Sequence, residues 1–94
     1  MPIQLTSANL QTLSEFPNIK FNIDNLSTVT NLIIKIISIS TNENIGFVNL
    51  DLLSNLSVIG KGAYSFDNSN TENIDSQIYA FLKTLPEFTG AIDC

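Results

Sequence analysis

The stretch VTNLIIKIISIS, residues 29–40, decides which fold this chain can adopt. Six of its twelve residues are Val or Ile, and β-branched side chains pack well on a pleated sheet. Alternate side chains of a strand lie on opposite faces, so both faces of this segment are apolar. One face carries Leu32, Ile34 and Ile36, and the other carries Ile33, Ile37 and Ile39. A strand of this kind needs cover on both sides.

Three more segments around this stretch show strand patterns. Residues 18–24 alternate between apolar and polar side chains, which is typical of a half-buried strand. The turn-forming residues 41–44 predict a hairpin, so residues 45–53 should return antiparallel to the first stretch. Residues 58–67 alternate again and predict a fourth strand.

Residues 70–85 carry the pattern of an amphipathic helix. The spacing of Ser69 and Glu72 matches a capping box at its start, and Pro86 would end it. The apolar side chains that share one helical face are Ile74, Ile78, Phe81, Leu82 and Leu85.

These elements predict one α+β domain over residues 1–94, a four-stranded antiparallel sheet (a meander) followed by one long C-terminal helix packed on one face. A helix of about four turns is roughly 20 Å long, so it covers one face of such a sheet and leaves the other. Cover for the second face would come from another copy of the chain or from a partner. The alternative is that the N-terminal segment 3–16 folds over that face.

The charge balance bears on the partners of the protein. The chain has nine acidic residues, four lysines and no arginine, and its net charge is −5. Nucleic-acid binding depends on basic groups that neutralise phosphates, so we expect no nucleic-acid partner. The longest apolar run, residues 32–39, is far shorter than the roughly 20 residues that a membrane helix needs, so we expect no membrane partner and see no secretory signal pattern.

Residue types that usually carry catalysis are scarce. The chain has no His, and its single Cys is Cys94, so His-based triads are excluded. Gly60 and Gly62 flank Lys61 without the rest of a phosphate loop, and they indicate a strand bulge or a close backbone approach. A small acidic group near the predicted helix start lacks the ligand spacing of a calcium loop: Asp67, Glu72 and Asp75. We therefore predict no enzyme activity, no cofactor and no metal site.

The segment YAFLKTLPEFTGAIDC, residues 79–94, resembles the endings of small proteins encoded in tailed-bacteriophage genomes. In those proteins a strand-rich body precedes a helix that closes in a similar LKTLPEF-G-A-D phrase. The resemblance implies a phage origin and a minor virion protein of the tail, baseplate or capsid surface, located in the virion or the host cytoplasm. It carries over no catalytic residue.

Two functions follow as expectations. The first is a non-enzymatic virion or assembly protein that forms homo-oligomers and contacts other phage structural proteins. The alternative is a small anti-defence protein that binds a host nucleotide signal or a host defence protein, with backbone amides near Gly60 and Gly62 as anion ligands. Pro86 and Gly90 should turn the segment 87–94 back onto the sheet or onto a neighbouring subunit. The candidate interface residues are Ile33, Ile37, Ile39, Phe88 and Ile92.

Overall fold

Six strands in one antiparallel sheet form the body of the protein, described here from a computed structural model that covers residues 2–42, 44–67 and 74–94. The strands lie side by side in the order β2-β5-β4-β3-β1-β6. In chain order the elements are β1 (Ile3–Asn9), α1 (Leu10–Leu13), β2 (Ile19–Phe21), β3 (Thr28–Asn42), β4 (Ile45–Ser54), β5 (Ser57–Asp67), α2 (Ile74–Lys83), a 3₁₀ turn (Pro86–Phe88) and β6 (Ile92–Asp93).

This architecture corrects the predicted fold class. The four-stranded meander with one long C-terminal helix is wrong, because the sheet has six strands and β2 pairs with β5 at the far edge. The predicted sheet does not include β1, which loses its alternation at residues 7–8, or β6, which has only two residues. In the described residues the helix α2 spans Ile74–Lys83, so it ends two residues before the predicted end at Leu85. The predicted capping box, residues 69–72, lies outside the described residues.

The predicted hairpins at the centre of the sheet are confirmed. Strand β3 pairs antiparallel with β4, and β4 pairs antiparallel with β5. The turn between β4 and β5 consists of Asn55 and Leu56, both in the left-handed region with φ of 52° and 68°. Such turns match the twist of the two strands that they join. Leu56 is 97% exposed there, as an apolar residue outside the sheet.

An irregularity in β3 changes which of its side chains reach the core. The register between β3 and β4 shifts between Ile36 and Ser38, with Ile37 as the extra residue of a bulge. Beyond the bulge, Ile39 joins the face of Ile36 and packs against the core. Ile37 stays on the opposite face, where 47% of it is exposed. Simple alternation places Ile39 on the same face as Ile33 and Ile37, and the bulge moves it to the core face instead.

The core lies on one face of the sheet, beneath the helices and the 3₁₀ turn. Tyr79 of α2 fixes the helix to the sheet, because its hydroxyl accepts a hydrogen bond from the Ile36 N–H at 2.9 Å. Strand β1 pairs with β3 only as far as Ile34, so this contact satisfies an N–H beyond the end of that ladder. The largest fully buried side chains are Ile3, Leu10, Leu32, Ile34, Leu50, Leu52, Ile78, Leu82 and Phe88.

The segment 87–94 is part of the fold, as the sequence predicts. Gly90 adopts a φ of 87°, which turns the chain back after the 3₁₀ turn. Strand β6 then pairs with β1, and the Cys94 N–H donates a hydrogen bond to the Pro2 carbonyl at 2.9 Å. Phe88 is completely buried, which stabilises the fold by about 1.5–3 kcal/mol. The N-terminal segment, the alternative cover for the second face, lies instead in the sheet and on its core side as β1 and α1.

Gly60 occupies a place where a side chain does not fit. A Cβ atom there would approach a ring carbon of Phe21 at 2.7 Å and the Lys20 carbonyl oxygen at 2.9 Å. The register between β4 and β5 also shifts next to this glycine, between Leu52 and Leu53. Both the bulge and the close backbone approach that the glycine pattern predicts are therefore present.

Candidate interaction surface

The face of the sheet opposite the core is the candidate functional surface, and we call it the open face. Among the described residues, the buried side chains of both helices and of the 3₁₀ turn all join the core on the other face. Seven large hydrophobic residues of the described part of the chain are exposed, and five of them lie on the open face. These five are Ile37, Ile45, Phe47, Val58 and Ile92. Four of them lie toward the two ends of this face, with polar and charged rows between them, and exposed apolar side chains gathered on one face are typical of an interaction site.

Strand register arranges the open face in rows that run across the strands. The row nearest the β4–β5 turn is apolar, and we call it the apolar row. Within it, Ile33 pairs with Leu53, and Leu53 pairs with Val58. Gln4 continues the row through β1 to Ile92 of β6. Four of these five side chains are aliphatic, and neighbouring strands hold them within contact distance of one another.

The next row is cationic, and we call it the lysine row. It runs Lys35–Asp51–Lys61–Lys20 across β3, β4, β5 and β2. Lys61 forms an ion pair with Asp51 at 2.9 Å, and 65% of the lysine side chain is exposed. Three lysines and one aspartate give this row a charge of +2, whereas the whole chain carries −5. The open face therefore presents positive charge in an acidic protein, which favours contact with a negatively charged or uncharged surface.

The far half of the open face is uncharged except at its end. A middle row of Ser38, Asn49 and Ala63 crosses β3, β4 and β5, and the Asn49 amide donates to the Ser38 hydroxyl at 3.0 Å. Beyond it, Phe47 lies between two serines, and Ile45 lies between Asn42 and Asp67. Phe47 is 49% exposed, so about half of a large aromatic side chain faces solvent. Aromatic side chains are enriched at the centres of protein interfaces.

The structure separates the five predicted interface residues into two groups. Ile33, Ile37 and Ile92 lie on the open face, with Ile33 and Ile92 in the same row. Ile39 and Phe88 lie on the core side, and complete burial removes Phe88 from any outer surface. Sequence reasoning named none of Ile45, Phe47 and Val58 as interface residues. The signal for Phe47 was present, because it alternates with the core residues of β4.

A shallow groove of about 410 Å³ lies at the β2 edge of the sheet. Its walls include Lys20 and Lys61 together with the amides of Asn18 and Asn49, while much of its lining is apolar. Gly60 and Gly62 also border it, but both are paired with β2 on one side and with β4 on the other. Backbone N–H groups of paired strands point along the ladder, so these amides do not form the anion site that the sequence suggested.

One buried polar contact stabilises the segment that follows α2. The Tyr64 hydroxyl donates a hydrogen bond to a carboxylate oxygen of Glu87 at 2.9 Å, and both residues are buried. Burial raises the pKa of Tyr64 above its ordinary range, and the hydrogen bond to Glu87 raises it further. The Phe88 ring lies 6.0 Å from the Tyr64 ring in a tilted arrangement. The contact links the 3₁₀ turn to β5 on the core side, away from the open face.

Comparison with known proteins found no match to a family model, to a curated protein or to a solved structure. In the part of the chain that the structure describes, no helix is both long and apolar enough to cross a bilayer.

Proposed function

We propose that this chain is a non-enzymatic assembly protein of a bacteriophage particle, a minor component of the tail, baseplate or capsid surface. It acts by associating with further copies of itself and with other structural proteins of the particle. It requires no cofactor, and it works in the virion or in the cytoplasm of the host.

The observation that carries this proposal is the apolar content of the open face. Five of the seven exposed large hydrophobic residues in the described part of the chain lie there. Side chains of this kind lose contact with water when a partner covers them, at roughly 25 cal/mol for each Å² of apolar area. The resemblance of residues 79–94 to the endings of small phage proteins supports the assignment to a particle.

Purified particles of the encoding phage provide the test. We expect the protein to remain with particles through a density gradient and a high-salt wash, and to be detected there by mass spectrometry. A matched lysate from a phage in which Phe47→Ser and Ile45→Ser are combined should yield particles with less of it. Absence of the wild-type protein from intact particles, while it is abundant in the lysate, would contradict the proposal.

The groove at the β2 edge favours one second candidate, an anti-defence protein that binds a host nucleotide. Two lysine ammonium groups border an apolar groove of about 410 Å³, and a nucleotide offers both a flat base and a phosphate. Calorimetry with a panel of cyclic and linear nucleotides distinguishes the two functions. Submicromolar binding that Lys20→Ala abolishes would favour the anti-defence protein, and no binding at millimolar nucleotide would exclude it.

A further inference from the structure

We infer that the open face binds the open face of a second copy, about a two-fold axis that runs along the middle row, so that facing strands are antiparallel. This inference rests on the proposed self-association and adds its geometry. The middle row of Ser38, Asn49 and Ala63 would then face the same row of the second copy. A two-fold axis makes both copies use the same surface, as most soluble dimers do.

The off-centre position of the lysine row selects this axis. A two-fold axis parallel to the strands would set the lysine row of one copy against the lysine row of the other. Each row carries +2, so such a dimer would set like charges directly against each other, which is unfavourable. An axis along the middle row moves the lysine row of each copy onto the uncharged row of the other, in which Phe47 lies between two serines.

The same axis gives the apolar groups complementary neighbours. Leu53 of one copy would face Ile45 of the second, because they lie at equal distances from the middle row on β4. Phe47 would face Asp51 of the second copy, and the ammonium groups of Lys35 and Lys61 on the two neighbouring strands can approach the edges of its ring face. Asp67, in the outermost row, would come within one row of Lys61 of the second copy, which places opposite charges near each other.

The size of the open face suits a dimer. Three to four strands at about 4.8 Å spacing, over ten residues at about 3.3 Å each, give a flat area of roughly 480–630 Å². This flat area is of the same order as the roughly 800 Å² per partner that specific complexes typically bury. Sheets that stack face to face lie about 10 Å apart, which the side chains of this face can fill.

Cross-linking at the middle row tests this geometry. In a Cys94→Ser background, Ala63→Cys places one thiol on the axis, so two copies present these thiols to each other. Ala80→Cys is the matched control, because Ala80 is an exposed alanine on α2, on the other side of the molecule. With a short bis-maleimide we expect at least tenfold more covalent dimer from Ala63→Cys than from Ala80→Cys.

The outcomes separate the geometry from self-association itself. Light scattering is measured on each variant without cross-linker, at the concentration used for the reaction. If both variants are oligomeric and Ala63→Cys gives no more covalent dimer than Ala80→Cys, the inferred geometry is wrong and self-association stands. If both variants and the parent protein are monomeric, the geometry and the proposed self-association both fail.

Discussion

Among single residues, Tyr64 and Glu87 form a buried polar contact between β5 and the 3₁₀ turn. Their hydrogen bond of 2.9 Å satisfies a carboxylate that has little access to water. Removal of the hydroxyl in Tyr64→Phe leaves this acceptor buried without its donor, which typically costs about 1–3 kcal/mol. In urea denaturation we expect Tyr64→Phe to unfold at a lower midpoint concentration, with an unchanged dependence of the unfolding free energy on urea. The comparison variant is Tyr79→Phe, which loses a contact to a backbone N–H instead. A midpoint equal to that of the wild type would show that the carboxylate is satisfied in another way.

The same tyrosine predicts a dependence of stability on pH. Burial raises the folded-state pKa of Tyr64 above the ordinary value of 10.0, so the folded protein keeps a proton that the unfolded chain loses. Stability from this group is therefore complete below about pH 10 and decreases as the pH rises further, by at most about 1.4 kcal/mol per pH unit. Between pH 10 and 11.5 the free energy of unfolding should decrease less steeply in Tyr64→Phe than in the wild type. Parallel curves would contradict this assignment.

Gly46 shows a packing requirement at a single position. The ring of Phe66 packs so closely against Gly46 that a Cβ atom at residue 46 would overlap it. We expect Gly46→Ala to displace the ring and to destabilise the protein by about 1–3 kcal/mol, as overpacking usually does. In a Phe66→Ala background the same change should be nearly neutral, as thermal unfolding of the four proteins in this cycle will show. An equal cost in both backgrounds would place the strain in the backbone instead.

At the scale of elements, the bulge in β3 gives Ile37 and Ile39 different degrees of burial. Ile39 packs against the core, whereas 47% of Ile37 is exposed on the open face. We expect Ile39→Ala to destabilise the isolated protein by about 1–3 kcal/mol and Ile37→Ala by less than about 0.5 kcal/mol. Both variants are measured by urea denaturation at a concentration at which the protein is monomeric. Equal costs would mean that the strand continues without the bulge.

The sequence predicts elements in proportion to the strength of their local pattern. Strands β3, β4 and β5 have long runs of alternating or β-branched residues, and their boundaries differ from prediction by at most two residues. Strand β2 was expected over residues 18–24 and has only three residues, because its pairing ends at Gly60 of β5. The pairing partners of β1 and β6 are distant in sequence, so no local periodicity reveals which strands they join.

The same limit applies to the candidate surface. Alternation correctly placed Ile33 and Ile37 opposite the core residues of β3, but a bulge cannot be read from one strand alone, so Ile39 was assigned to the wrong side. Phe88 was expected at an interface, and its burial depends on how the segment after α2 turns back over the sheet. The lysine row could not be predicted from the sequence, because it joins residues from four strands through their register.

At the scale of the whole molecule, the two faces of one sheet have different roles. One face makes the core with both helices, and the other presents an apolar row, a lysine row and Phe47 to solvent. A chain of this size buries only about two thirds of its unfolded surface, so covering the open face adds substantially to its stability. We therefore expect the thermal midpoint to rise with protein concentration. The control is the variant Phe47→Ser, whose midpoint should depend less on concentration.

The mass of the protein in solution tests the role of the open face most directly. Light scattering coupled to size-exclusion chromatography is applied to the wild type, to Phe47→Ser on the open face and to Leu56→Ser in the exposed turn between β4 and β5. We expect the wild type and Leu56→Ser to exceed the 10.3 kDa of one chain at micromolar concentrations, and Phe47→Ser to shift toward 10.3 kDa. A mass of 10.3 kDa for the wild type at all micromolar concentrations would contradict the assignment of this face. So would an oligomer that Leu56→Ser disrupts and Phe47→Ser leaves intact.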